Sequence, residues 1–263
     1  MFVSAFFTTA ATMKLIRQRN HKIVILHTES PYQDDEQLMR GDMADLNLLN
    51  DPCNLEKFIE IGPADYQPHC YRPSVHYPRT GPVDPEKASD FAFVGTAFKS
   101  RIALFEALNL DGIDTMLIGA DWGKLSPESP VARYVACGTG TEADCLQNED
   151  AAELYRNAKV GLNLYRREAE EAHENDEAIA LSPREIEMAA CGLPFVRDPR
   201  PEGDEVLHML PTFDGPEDAS EKLHWWLAHD AERERAASLA REAIADRTFV
   251  NSAKKLLTRL EHL

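Results

Sequence analysis

The sequence predicts an α/β protein built from two successive doubly wound series, and three observations predict it. Apolar runs of strand length alternate with stretches of helical periodicity along most of the chain. The strand runs, such as "KIVILHT" and "FAFVG", are almost continuously apolar, as parallel strands covered on both faces are. Between the two series lies "YPRTGPVDPEKASD", Tyr77–Asp90, whose proline and charge mark a linker. The chain therefore divides into residues 1–76, a linker over 77–90, and residues 91–263.

The first series begins with an apolar N-terminal stretch that predicts a helix over residues 5–19, amphipathic from Phe6 to Arg19. A strand over Lys22–Thr28 follows, then a polar loop, "ESPYQDDEQ", and a strand over Ala44–Asn50. Next come a helix in "PCNLEKFIEIG", with Pro52 near its start, and an extended piece, "DYQPHCYRP". With only two or three strands this segment reads as the second half of a doubly wound domain, which normally uses about five or six. In the second series a strand over Phe91–Gly95 leads to the helix "SRIALFEALNL" and a strand over Asp114–Ala120. A long polar loop over Asp121–Thr141 precedes a helix over Asn148–Ala158 and a strand over Lys159–Arg166. The acidic run "REAEEAHENDEA" reads as a solvated charged face, and the strand "LPFVRD" follows a helix that opens at Ser182. From Pro216 to Leu263 the tail is mostly helical, with Leu223, Trp226 and Leu227 as an apolar stripe.

The 263 residues are 43% hydrophobic and 28% charged, enough for a proper core, and carry a formal net charge of −17. That charge excludes a broad nucleic-acid surface, although an anionic small ligand needs only a few local cations. Five cysteines, an odd number without a close CxxC pair, indicate reduced thiols and a cytoplasmic setting, Cys137 and Cys145 included. The apolar N-terminus is too short to span a bilayer. No G-x-G-x-x-G follows a strand, which argues against a dinucleotide oxidoreductase. "CGTGTE", Cys137–Glu142, lacks the Gly-Lys-Ser/Thr ending of a phosphate loop and reads as a turn.

Ligands of parallel sheets bind at the carboxyl ends of the strands, which directs attention to three places. In "VGTAFKSR", Gly95 and Thr96 make a tight strand-to-helix turn suited to an anion; Lys99 and Arg101 either join that site or form a solvated first turn. In "GLNLYR", Asn163 interrupts a buried run and needs a partner, with Tyr165 and Arg166 beyond it. In "SPREIEMAACG", Ser182, Pro183 and Glu185 spell a capping box, yet Arg184 occupies the first turn, where the helix dipole disfavours a cation by ~0.3–1 kcal/mol. Either Glu185 and Glu187 neutralise it or it clamps an anion, and convergence of the three strand ends favours the anion. In the first series "HTESPY" gathers titratable groups, including Glu29, at a strand end, as an acceptor or acid/base site or a capping loop. His69, before the linker, faces the same cleft or caps a turn.

Several segments together resemble the glycosyltransferase group 1 family of the spore-maturation (CgeB-like) type: "FAFVGTAFKSR", "LYRNAKVGLNLYR", "SPREIEMAACGLPFVRD", "HTESPYQDD", "LLNDPCNLEKF" and "DRTFVNSAKKLL". The resemblance runs over the whole chain. It implies a GT-B-like fold, two facing doubly wound domains, the N-terminal one here incomplete, since "MFVSAFF" resembles a block well inside that domain of longer relatives. It also implies a nucleotide-diphosphate sugar as co-substrate, held mainly by the C-terminal domain, with no cofactor. Glu187 matches the glutamate that binds the donor ribose; Arg184 and the Ser182–Pro183 turn match the diphosphate site. Gly95 and Thr96 match the facing glycine turn, Lys99 or Arg101 would add a second cation, and residues near Cys145–Asn148 lie where the base is read. Related retaining enzymes carry a further glutamate eight positions before the ribose glutamate; Ile179 stands there in this chain. The absence of any Asp-x-Asp triplet agrees with metal-independent transfer, with Glu29 or His69 positioning or deprotonating the acceptor hydroxyl. The acceptor stays open among glycan, protein, lipid-linked and small-molecule classes, and a non-catalytic nucleotide-sugar-binding module is the alternative.

Overall fold

A computed structural model describes residues 1–137, 146–167 and 177–262. Most of "CGTGTE", Cys145 and most of the acidic run lie outside these residues. Among the described residues, nine strands make two all-parallel sheets.

The first sheet is laid down by β1 (Phe2–Val3), α1 (Ala10–Gln18), β2 (Val24–His27), α2 (Asp34–Gly41), β3 (Leu46–Leu49), α3 (Leu55–Ile61) and β4 (Ala64–Tyr66). Its strands stand in chain order, each parallel to the next. The N-terminal helix starts later than its apolar pattern predicts. Thr9 caps α1 by accepting from the Thr12 amide at 3.2 Å, and Phe2–Val3 pairs with Ile25–Leu26 as an edge strand instead. β4 corrects the sequence reading too: part of the extended piece is a fourth strand beside β3.

The second sheet comes from β5 (Ser89–Val94), α4 (Lys99–Ala107), β6 (Thr115–Ile118), β7 (Val135–Cys137), α5 (Asn148–Asn157), β8 (Ala158–Asn163), α6 (Pro183–Cys191) and β9 (Phe195–Arg197). The spatial order is β7-β6-β5-β8-β9. The order reverses at β5, so a crevice opens between the carboxyl ends of β5 and β8, the topological switch point. The described part of the expected polar loop, residues 121–137, is instead anchored structure, with short 3-10 turns at Trp122–Lys124 and Ala132–Tyr134 before β7. Trp122 explains the anchoring: its buried indole packs edge-on against Phe93 and Phe105 and donates to the Gly95 carbonyl at 2.9 Å.

Four helices complete the chain: α7 (Pro201–Val206), α8 (Gly215–Ala228), α9 (Asp230–Ala243) and α10 (Phe249–Leu260). Leu223 and Trp226 bury into the large core of the second sheet, and Leu227 packs against it half-buried. The amphipathic α10 returns to the first sheet, where Leu256 and Leu260 cover Val24, Leu46 and Leu48. No helix among the described residues is long and apolar enough to cross a membrane.

At the switch point the backbone leaves no room for side chains. Gly119 has φ +139°, and a Cβ there would be driven into the carbonyl of Gly95. Gly119→Ala should therefore lower stability by about 3 kcal/mol in urea unfolding, through combined strain and collision.

Candidate functional site

The crevice at the switch point is a cavity of about 440 Å³ lined by the turn after β5, the segment after β8 and the start of α6. A second cavity of about 460 Å³ adjoins it on the first-sheet side, and Tyr32, Tyr165, Arg166, Ser182 and Pro183 line both. The cleft thus runs between the carboxyl ends of the two sheets.

The start of α6 is built as its sequence dictates. Ser182 Oγ accepts from the Glu185 amide, the Glu185 carboxylate accepts from the Ser182 amide at 2.8 Å, and Pro183 occupies the first turn. Gly192, at φ +76°, ends the helix. Glu185 does not neutralise Arg184; its carboxylate turns inward and also accepts from Tyr165 Oη at 2.5 Å. The Arg184 guanidinium instead bridges the two strands flanking the crevice. Nε donates to Val94 O at 2.7 Å, Nη1 donates to Asn163 Oδ1 at 3.0 Å, and the plane lies over the Phe93 ring. Carbonyl oxygens at strand ends offset the dipole penalty of the helix start.

Asn163, fully buried, finds partners for its side-chain oxygen, while its Nδ2 has none among the described residues. Its Oδ1 accepts from both Arg184 and Ser182 Oγ, so it fixes two cleft residues from beneath. Gly95 is the floor: a Cβ would come 2.8 Å from Arg184 Nη2 and 3.2 Å from Arg101 Nη1. Its own amide is committed to Ile118 O at 2.8 Å, so the turn offers guanidinium charge more than the amide expected from sequence. Arg101 is a buried part of the wall, donating to Thr96 O at 3.1 Å and Leu164 O at 2.8 Å. Arg166 lies over the Phe98 ring at the junction of the two cavities. Lys99 is brought to neither cavity and stands exposed on the first turn of α4.

Glu187, one turn into α6, lines the far side of the crevice and a neighbouring polar cavity of about 350 Å³. Burial raises its carboxyl to about 6 against the pull of Arg184. His76 Nε2 lies 3.8 Å from Glu187 Oε1. The His76 imidazole is held below its ordinary range by burial and by Arg156, and its Nδ1 accepts from the Arg72 amide at 3.3 Å. Nε2 therefore carries the proton that faces Glu187.

On the opposite wall, Glu29, Asn50, Asp51 and His69 line the first-sheet cavity. Burial lowers His69 to about 4, and its Nε2 lies 3.2 Å from Asn50 Nδ2, so near neutral pH it is an uncharged acceptor. Tyr32, part of the "HTESPY" cluster, does line both cavities, whereas sequence reasoning did not single out Asp51, His76, Tyr155 or Arg200. Asp51 was within reach of the strand-end rule, for it lies two residues beyond β3. Among the described residues no group of three or more His, Cys, Asp or Glu side chains has metal-holding geometry.

A sequence profile of the family described as glycosyl transferase-like matches residues 101–258. Among curated proteins no sequence matches. Several solved structures share the fold. The sucrose-phosphate synthase of Thermosynechococcus elongatus superposes with TM-score 0.63 at 16% identity, over 95% of this chain and 69% of that one. Anabaena Alr3699/HepE, in complex with UDP, gives 0.63 at 11%, over 95% and 75%. A UDP-forming α,α-trehalose-phosphate synthase from Burkholderia vietnamiensis gives 0.62 at 10%, over 96% and 70%. The fold is thus that of GT-B glycosyltransferases.

The Glu187 site has a thermodynamic signature of its own. With a folded-state pKa of about 6 against an ordinary 4.5, the folded chain prefers the protonated form. Its contribution is present in full below about 4.5 and is lost as pH rises through about 6. Glu187→Gln should therefore be more stable than the natural chain by about 1–2 kcal/mol at pH 7.5 and show no gain near pH 4, as read by urea unfolding.

Proposed function

The chain belongs to the glycosyl transferase-like family, and from that membership we propose that it moves a glycosyl group from a nucleoside-diphosphate sugar to a hydroxyl-bearing acceptor, in the manner of the spore-maturation type. The observation that carries the reading is the convergence of Arg184, Arg166 and Glu187 on one crevice at a switch point, beside a second cavity. As the bond to the sugar breaks, negative charge collects on the leaving diphosphate. Guanidinium groups already fixed by the Val94 carbonyl and the Asn163 side chain, with Thr96 beside them, stabilise it without reorganisation. Glu187 accepts the ribose hydroxyls from the other side. In this reading the cations replace a divalent metal, so turnover is indifferent to chelators.

The acceptor enters from the first-sheet cavity. Glu29 is the candidate base for its hydroxyl; His69, neutral above about 4, serves as a hydrogen-bond partner. The thiols of Cys53, Cys70 and Cys191, none of them in a disulfide, support a reducing, cytoplasmic setting. Ile179, where retaining relatives carry a glutamate, favours the second reading, a module that binds nucleotide sugars without turning them over.

The Anabaena relative binds UDP and the Burkholderia relative is UDP-forming, so UDP is the first probe. Saturating UDP should raise the melting temperature by several degrees, as ligand present at about 100 times its Kd adds about 2.7 kcal/mol. Arg184→Ala should abolish that shift. Affinity should weaken as pH falls below about 6, where Glu187 takes up its proton, and Glu187→Gln should flatten this dependence. Release of nucleoside diphosphate from a panel of nucleotide sugars, unchanged by EDTA, identifies the enzyme; UDP binding with no turnover on any donor and acceptor pair identifies the module. Absence of any shift with every nucleoside diphosphate refutes both.

A further inference from the structure

The stretch 178–181, immediately before the cap of α6, has no regular structure, yet its backbone is gripped at five points. Arg200 Nη1 donates to Ala178 O at 2.7 Å, the Glu202 amide donates to Ile179 O at 3.1 Å, and the Leu181 amide donates to Glu202 Oε2 at 2.6 Å. The other two grips come from the opposite sheet. Asp51 Oδ2 accepts from the amides of both Ile179 and Ala180, each at 2.8 Å. Asp51 is 3% exposed, and its Oδ1 accepts from the Cys53 amide at 2.9 Å, which fixes the carboxylate plane. One side chain at the end of a first-sheet strand thus sets the path of a second-sheet loop.

We propose that Asp51 is a positioning residue for glycosyl transfer: from the facing sheet it fixes the 178–181 backbone, which walls the first-sheet cavity and delivers Ser182 to the donor crevice. The inference rests on the nucleotide-sugar reading of the cleft. Ala178, Ala180 and Leu181 line the first-sheet cavity together with Asp51, and Ser182 and Pro183 line both cavities. A shift of this stretch moves the wall where donor and acceptor meet, while Gly95, Arg184 and Glu187 stay on their own elements. The Asp51 carboxylate acts on backbone N–H groups of the stretch, so its grip does not depend on the side chain at residue 179. Three N–H groups point at the two oxygens of Asp51, a pattern only a carboxylate satisfies. In an asparagine, whichever way the amide is turned, its NH2 faces one of these donors.

Asp51→Asn in the full chain is the test, because the variant keeps shape and volume. Three quantities are read: UDP affinity by calorimetry, kcat for UDP release from the best UDP-sugar of the panel, and hydrogen exchange of the amides at 179–181. UDP affinity should stay within about threefold of the natural chain, exchange at 179–181 should accelerate at least about tenfold, and kcat should fall by about 10–100-fold. Unchanged exchange overturns the proposal, as does natural kcat alongside accelerated exchange. Parallel loss of UDP affinity and kcat also overturns it, because it makes Asp51 a general structural residue. A natural chain that neither binds nor releases a nucleoside diphosphate instead refutes the nucleotide-sugar reading, a result distinct from anything the variant reports.

Discussion

The arrangement of the two halves depends on the carboxylate of Glu202. It accepts from Tyr66 Oη at 2.9 Å, from Arg247 Nη2 at 2.7 Å and from the Leu181 amide at 2.6 Å. Those donors come from the end of the first sheet, the approach to α10 and the loop before α6. A carboxylate this buried is tolerable only when its partners are fixed and charge-assisted. Losing one donor would leave the others facing an under-satisfied charge, so the contact selects one mutual orientation of the sheets. The cleft, the grip on 178–181 and the meeting of the two cavities all follow from that orientation.

Electrostatic character is local rather than global. A chain of formal charge −17 repels anions at a distance, yet the crevice gathers Arg101, Arg166 and Arg184. Each guanidinium is packed against an aromatic face, Arg101 and Arg184 over Phe93 and Arg166 over Phe98. Stacking holds these planar groups in place and lightly hydrated, which suits bidentate binding of oxyanions. The surrounding negative field disfavours polyanions and leaves the pocket to ligands small enough to enter it.

Much of this architecture was legible in the sequence because it is written in local rules. The capping box at Ser182–Glu185 needs only four residues, and the polar Asn163 inside an apolar strand announced a hidden partner, which proved to be Ser182 and Arg184 together. Elements that depend on distant partners were not legible. β4 is only Ala64–Tyr66, without an apolar run, and exists because β3 offers an edge; Phe2–Val3 likewise takes strand form beside β2. Nor does spacing reveal that Arg101 is walled in by Thr96 and Leu164 carbonyls, or that Asp51 reaches across to a loop more than a hundred residues away.

The return of α10 to the first sheet means that the chain crosses between halves twice. The two crossings are tied to each other: Tyr71 donates its amide to Arg247 O at 2.9 Å, and the Phe249 amide donates to Tyr71 O at 3.2 Å. A molecule with a single linker can twist about it, whereas two crossings bonded side by side oppose that twist. The paired crossings thereby act with the Glu202 contact to hold the same two walls face to face. The first half also borrows part of its apolar cover from the C-terminus; cutting the chain at the linker would strand Leu256 and Leu260 away from the surface they seal.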